Sequence, residues 1–183
     1  MSLHLNNTPV LYTDRLTLRA FAPQDMEAGT RYLQTQRTVY MGGPWNAGDA
    51  WDHCASLIGH WVIHGFGLFA ICLRGTEKAV GDCGLLRPYG YPENELGWGI
   101  WDTDLEGKGY VFEAAEAVRT YAYDTLGWPT LVSYIDPDNA RSIALAKRLG
   151  CTLDTHAQIP DLPDWDGTLV YRHPNTAKGA PDV

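Results

Sequence analysis

The sequence predicts a mixed α/β (α+β) domain with three consecutive strands at its centre, and three observations lead there. Strand-like alternation and helix-like apolar spacing succeed one another along 183 residues without an internal repeat or a long linker. The resulting order, β-α-α-β-β-β-α-β-α-β-β, is not the alternating βα repeat of a doubly wound nucleotide fold. A hydrophobic share of 45%, with 7 Trp and 10 Tyr, supports one sizeable core.

Arg15 to Phe21 alternates polar and apolar residues and reads as the first strand. Pro23-Gln24-Asp25 then opens a helix to about Thr35, with proline in its first turn. Gly42-Gly43-Pro44-Trp45 is a turn cluster. Cys54, Leu57, Ile58 and Trp61 share one face of a helix over residues 49–64, which Gly65-Phe66-Gly67 ends. Residues 68–73 and 79–86 form strands around a turn, and residues 95–101 form a third strand rich in Gly and Trp. Val111, Ala114, Ala115, Val118 and Ala122 recur at helical steps. A strand over 130–135 leads through Asp136-Pro137-Asp138 into a helix over 139–149, with Gly150 as its terminal glycine. Two strands, near 151–158 and 167–173, close the domain around a loop over 160–166. One domain spans 1–183, with its core in 11–173 and a polar tail over 174–183.

A net charge of −8 argues against a nucleic-acid partner, which calls for a basic face. The four cysteines, Cys54, Cys72, Cys83 and Cys151, lack CxxC spacing and suit reduced thiols in a cytoplasmic protein. No signal-peptide pattern and no membrane-length apolar run are present, so no membrane partner is expected. His53, His60 and His64 share a helix face, but their span of about 16 Å is too long for one ion, so a solvent-facing stripe and no metal are expected.

The chemistry concentrates in Glu95 to Tyr110: strand, glycine-bearing turn, helix. A helix N-terminus has unpaired N–H groups and a partial positive charge, so it attracts phosphate. Gly107 and Gly109 let the backbone turn those groups inward, and Lys108 adds a charge. A Walker loop needs Ser or Thr after the lysine, where Gly109 stands. The dinucleotide fingerprint needs glycine where Phe112 stands. Spacing alone leaves open a capping turn without a ligand.

The run Asp104-x-x-Gly107-x-Gly109-Tyr110 resembles the acetyl-CoA signature of the GNAT superfamily of N-acetyltransferases, closest to its ribosomal-protein N-terminal acetyltransferase branch. Thr13 to Arg19, Gly81 to Leu85, Glu95 to Trp98, Asp136-Pro137-Asp138-Asn139-x-x-Ser142 and Leu149-Gly150-Cys151 resemble further blocks of that branch, in order. The resemblance implies a central sheet of about six or seven strands flanked by about four helices. It implies acetyl transfer from acetyl-CoA to a primary amine, on a small molecule or a peptide N-terminus, by direct attack in a ternary complex. Two positions depart from the pattern. Asp104 replaces the signature's Gln or Arg, and Ala146 stands where many relatives carry a tyrosine acid.

On this resemblance Leu105, Glu106, Gly107, Lys108, Gly109 and Tyr110 cradle the pyrophosphate, and Asn139 contacts the pantetheine. A backbone N–H near Ile100, Trp101 or Asp102 polarises the thioester where the fourth strand splays from the fifth. Glu95 is the candidate base and Ser142 the candidate donor to the leaving thiolate, with Tyr134 and Tyr110 as outside candidates. Arg141, Lys147 and Arg148 are phosphate candidates. Tyr40, Gly42, Gly43, Pro44, Trp45 and Trp165 are acceptor-wall candidates, and the acidic loop of Asp161, Asp164 and Asp166 suits a cationic amine. A monomer or homodimer is expected. The competing reading is a CoA-binding sensor of the same fold that catalyses nothing.

Overall fold

The computed structural model describes residues 5, 7–163 and 165–175. One eight-stranded sheet runs in the order β1-β2-β3-β4-β5-β6-β8-β7. Its strands are β1 (Leu11–Tyr12), β2 (Leu16–Ala20), β3 (Leu68–Leu73), β4 (Ala79–Leu86), β5 (Glu95–Ile100), β6 (Val132–Ile135), β7 (Thr152–Leu153) and β8 (Leu169–Arg172). Among the described residues four α-helices accompany it: α1 (Met26–Leu33), α2 (Ala47–His64), α3 (Tyr110–Thr120) and α4 (Ala140–Arg148). α3 continues into a π turn over Tyr121–Thr125.

The expected element order is present, with one strand more than the count of six or seven. β1 is a two-residue strand that pairs with β2, too short to show an alternation in the sequence. The expected strand over 151–158 is only Thr152–Leu153. It stops because the Asp154 carboxylate accepts the His156 N–H at 3.0 Å, turning the chain away from the sheet. The first predicted helix begins as a 3-10 turn, Pro23–Asp25, before α1. Beyond Asn175 the expected polar tail lies outside the described residues, as does Asp164.

Local chemistry sets the helix ends. The Asn46 side chain accepts the Asp49 N–H, and Gly65 closes α2 in the left-handed region. Leu16, Leu18, Phe69, Ile71, Cys83, Leu85 and Leu96 pack on one sheet face against Ala114, Ala115 and Val118 of α3. The small helix residues let α3 lie close to the strands. The other face meets α1 and α2 through Phe21, Tyr32, Leu33, Ala50, Cys54, Leu57 and Leu68. All four cysteines are free and buried, as their apolar character predicts.

The sheet changes character in the middle. β2 to β5 are joined by continuous antiparallel ladders. β5 and β6 run parallel and register at a single pair, Glu95↔Val132. Beyond it β5 follows β4 while β6 is held by the antiparallel β8, and the strands part. The Ser133 hydroxyl donates to Leu96 O at 2.6 Å just where they separate. Ser133 Oγ also contacts His173 Nε2 at 3.0 Å, and His173 Nδ1 lies 3.2 Å from Cys151 Sγ. Burial pushes this histidine down to about 3, so it is a neutral strut.

Candidate active site

A cleft of about 1090 Å³ opens where β5 and β6 diverge and reaches both sheet faces. It collects most of the residues singled out from sequence. Glu95, Ile100, Leu105, Glu106, Gly107, Gly109, Tyr110, Asn139 and Ser142 all line it.

On the α3 side, Gly107 and Gly109 have φ of 71° and 80°, a region that admits glycine without strain. A side-chain carbon at Gly107 would meet nothing within 4 Å, so its requirement is conformational. Gly109 caps α3, whose first N–H groups lack intrahelical partners. Tethers from elsewhere hold the loop. The Arg15 guanidinium donates to Lys108 O at 3.0 Å, pairs with Glu113 at 2.6 Å, and lies over the Tyr110 ring. The Glu106 carboxylate accepts from Arg37 and from Arg141. The Asp102 side chain accepts the Asp104 N–H at 3.0 Å. Asp104 itself is exposed, so Asp102, Arg15 and Arg37 brace the loop.

Three of the expected cofactor-binding residues are not in the cleft. Lys108 is exposed, with its carbonyl turned to Arg15. The Trp101 indole turns to the α1–α2 side, where it packs on Phe21 and Tyr32 and donates to Asp82 at 2.6 Å. The Trp101 and Asp102 N–H groups both donate to Val80 O, at 2.8 and 3.4 Å, so neither is turned to the splay. An antiparallel ladder alternates the edge to which successive N–H groups point. With Trp101 turned to β4, the Trp98 and Ile100 N–H groups point to the β6 edge.

Asn139 is the N-cap of α4, accepting the Ser142 N–H at 3.2 Å, while its side chain also borders the cleft. The Ser142 hydroxyl oxygen accepts from Trp98 Nε1 at 3.3 Å, which leaves the hydroxyl proton free to be donated. Ala146 is fully buried in the core and turned away from the cleft. Tyr110 and Tyr134 line the cleft, and burial pushes the Tyr134 phenol up to about 12.

On the α1–α2 side, Glu95 is 9% exposed and has no ion pair among the described residues. Burial pushes its carboxyl up to about 7, partly offset by the Tyr134 backbone N–H. Asp82, read from sequence only as part of a strand, also lines the cleft. Burial pushes it up to about 6, and the Trp101 indole partly offsets this. Tyr40, Gly42, Trp45 and Trp165 form part of the wall, whereas Gly43 and Pro44 do not. Arg37, Tyr32 and Asp82 were not picked out as site residues. Only a fold shows that a helix, a 3-10 turn and a strand meet here.

Of the expected solvent-facing histidine stripe His64 is exposed, whereas His53 and His60 are half-buried by packing. His53 stacks edge-on against Trp45 at 4.4 Å and borders the cleft. His60 uses both ring nitrogens, on Phe66 O at 2.8 Å and on the Arg87 N–H at 3.0 Å. No group of three or more potential ligands that could hold a metal occurs among the described residues. No described helix is long and apolar enough to cross a membrane.

The site is thus a mixed sheet opened by one splay, with a glycine loop and a helix N-terminus at its mouth. The acetyltransferase (GNAT) domain model matches residues 15–152, and the chain belongs to that family. It is 26% identical over 105 residues to YnaD of Bacillus subtilis (strain 168), an uncharacterized N-acetyltransferase; the match covers 56% of this chain and 61% of YnaD. The crystal structure of an acetyltransferase from Agrobacterium tumefaciens str. C58 is 38% identical, with a TM-score of 0.83 over 94% of this chain and 98% of that one. The microcin C7 self-immunity acetyltransferase MccE, solved with acetyl-CoA and AMP, shares the fold at 18% identity and a TM-score of 0.66, covering 87% and 92%.

Proposed function

We propose that the protein transfers an acetyl group from acetyl-CoA to a primary amine by direct attack within the cleft. The observation that carries this reading is the cleft itself. A glycine loop built for a diphosphate stands on one side of the β5–β6 splay, and a buried, unpaired Glu95 stands on the other. Acetyl-CoA in the complex of MccE, on the same fold, supports the choice of donor. The N–H groups of the 107–110 turn and the first turn of α3 would hold the pyrophosphate.

The residues then divide the chemistry. Trp98 or Ile100 N–H donates to the thioester oxygen as charge develops. The amine nitrogen attacks the carbonyl carbon, the carbon–sulfur bond breaks, and the CoA thiolate leaves. Glu95, near 7, is about half ionised at neutral pH and accepts the proton that the attacking amine sheds, directly or through water. Ser142 donates its free hydroxyl hydrogen to the thiolate and stabilises it without being acidic enough to protonate it outright. The acceptor is an amine of a small molecule or a peptide N-terminus.

The test is an amine and peptide screen followed by release of the CoA thiol, alongside acetyl-CoA affinity of a Gly107→Glu, Gly109→Glu double variant. The reading expects thiol release with at least one acceptor class and loss of acetyl-CoA binding in the variant. Unchanged acetyl-CoA affinity in that folded variant would refute the loop assignment. Tight CoA binding with no thiol release across the screen would make the protein a sensor.

A further inference from the structure

Among the described residues, buried and half-buried carboxylates outside the cleft have partners. Asp25 pairs with Arg19, Glu113 with Arg15, and Glu93 and Asp154 with Arg172. Asp102 accepts a backbone N–H group in a turn, as does Asp136 at the cleft edge. In the cleft, Glu106 pairs with Arg37 and Arg141. Asp82 and Glu95 have no ion pair, and both lie on the α1–α2 face of the β4–β5 ladder. Between them β5 presents Gly97 and Gly99 to that face, with the Leu86 side chain reaching over Gly97.

The geometry above Gly99 is specific. A side-chain carbon built on Gly99 would lie 3.3 Å from the Tyr32 hydroxyl oxygen. It would lie 3.3 and 3.4 Å from the two Asp82 carboxylate oxygens. Three oxygens therefore converge on one point of the cleft floor. An ammonium cannot take that point, which is at bonding distance from the Gly99 Cα, but one held further out in the cleft, in van der Waals contact with the glycine, has the Asp82 carboxylate and the Tyr32 hydroxyl on its flank for charge-assisted N–H···O contacts. Trp101 Nε1 donates to Oδ2 and fixes the carboxylate, leaving Oδ1 with no hydrogen bond of its own. The Arg37 guanidinium, over the Tyr32 ring, is committed to Ile100 O, Trp101 O and Glu106. A buried carboxylate without a cation is costly, and a bound cation removes that cost.

We propose that Asp82 and Tyr32 form a cation subsite over Gly99 that holds a second, non-reacting ammonium of the acceptor. The preferred acceptors are short-chain diamines or comparably compact dicationic amines. This rests on the acetyl-transfer reading for the statement that the ligand is the acceptor. An ammonium paired with Asp82 stays protonated and is no nucleophile, so the reacting amine is the one toward Glu95. Four residues separate Glu95 from Gly99, about 13 Å of strand and more than a four-carbon diamine spans, so with one nitrogen at Asp82 the other reaches the Trp98–Ile100 edge of the splay and passes its proton to Glu95 through water.

The experiment is calorimetric titration of 1,4-diaminobutane and of butylamine into the protein, with and without saturating unacetylated CoA, so that no turnover intervenes. The diamine should bind at least tenfold more tightly than the monoamine. That preference should vanish in Asp82→Asn, whose amide oxygen still accepts from Trp101. It should also vanish in Gly99→Ala, which puts a methyl against the Asp82 carboxylate and the Tyr32 hydroxyl. Equal affinities in the unaltered protein, or a preference that survives Asp82→Asn, would overturn the subsite. Failure of CoA to bind would instead overturn the acetyl-transfer reading, because the amine preference is read in the CoA-free arm as well.

Discussion

Replacing Glu95 by glutamine tests the base and its burial in one variant. The carboxyl rises from an ordinary 4.5 to about 7 because the folded protein withholds water from its charged form. Below the lower value both folded and unfolded chains hold the proton, and the group contributes no difference. Between the two values the native state binds more protons than the unfolded state, so this group makes stability fall as pH rises. Above the higher value the full penalty is present. At 1.36 kcal/mol per unit, the shift amounts to about 3 kcal/mol. A glutamine side chain never carries that charge, so Glu95→Gln should be more stable than the parent by up to about 3 kcal/mol at pH 8. The two should be nearly equal near pH 4.5. In a chain of this size the difference corresponds to roughly 6–12 °C in Tm. Paired thermal or urea unfolding at the two pH values measures it, and titrations common to both chains cancel. Acetyl transfer should fall about 10²–10⁴-fold in the same variant, the usual worth of a general base. A stability difference independent of pH, or an activity left intact, would refute the reasoning.

Other substitutions probe the scaffold around the cleft. Arg37→Met removes the donor shared by the Ile100 and Trp101 carbonyls and frees Glu106, which should cost about 2 kcal/mol by urea unfolding and raise the KM for acetyl-CoA. Ser142→Ala should lower kcat roughly tenfold or more with little change in the acetyl-CoA KM, measured by steady-state thiol release. Asn46→Ala removes the α2 cap and should cost about 1 kcal/mol, seen as a lower Tm with kcat unchanged.

Much of this fold is written in short-range pattern. The apolar spacing of Val111, Ala114, Ala115 and Val118 finds α3, and Asn139 and Gly150 bracket α4, because caps and amphipathic faces are decided within a few residues. Gly107 and Gly109 mark the loop because only glycine takes their positive φ cheaply. The two-residue strand Leu11–Tyr12 leaves no such trace, since its partner alone makes it a strand, and the strand read near 151–158 has its length cut to Thr152–Leu153 by its pairing with β8.

The site divides in the same way. Residue order alone singled out the 107–110 turn, the glutamate at the head of β5 and the serine one turn into α4, all of which line the cleft except Lys108. Tertiary structure decided which backbone N–H groups of β5 are left for the splay, because Val80 of β4 claims those of Trp101 and Asp102. It also turned Trp101 and Lys108 away, brought Arg15 and Arg37 to the loop from distant positions, and set Asp82 and Tyr32 together above Gly99. A local sequence pattern reports the conformation a segment prefers. Strand pairing and helix docking choose which of its polar atoms are spent on the protein and which remain for a ligand.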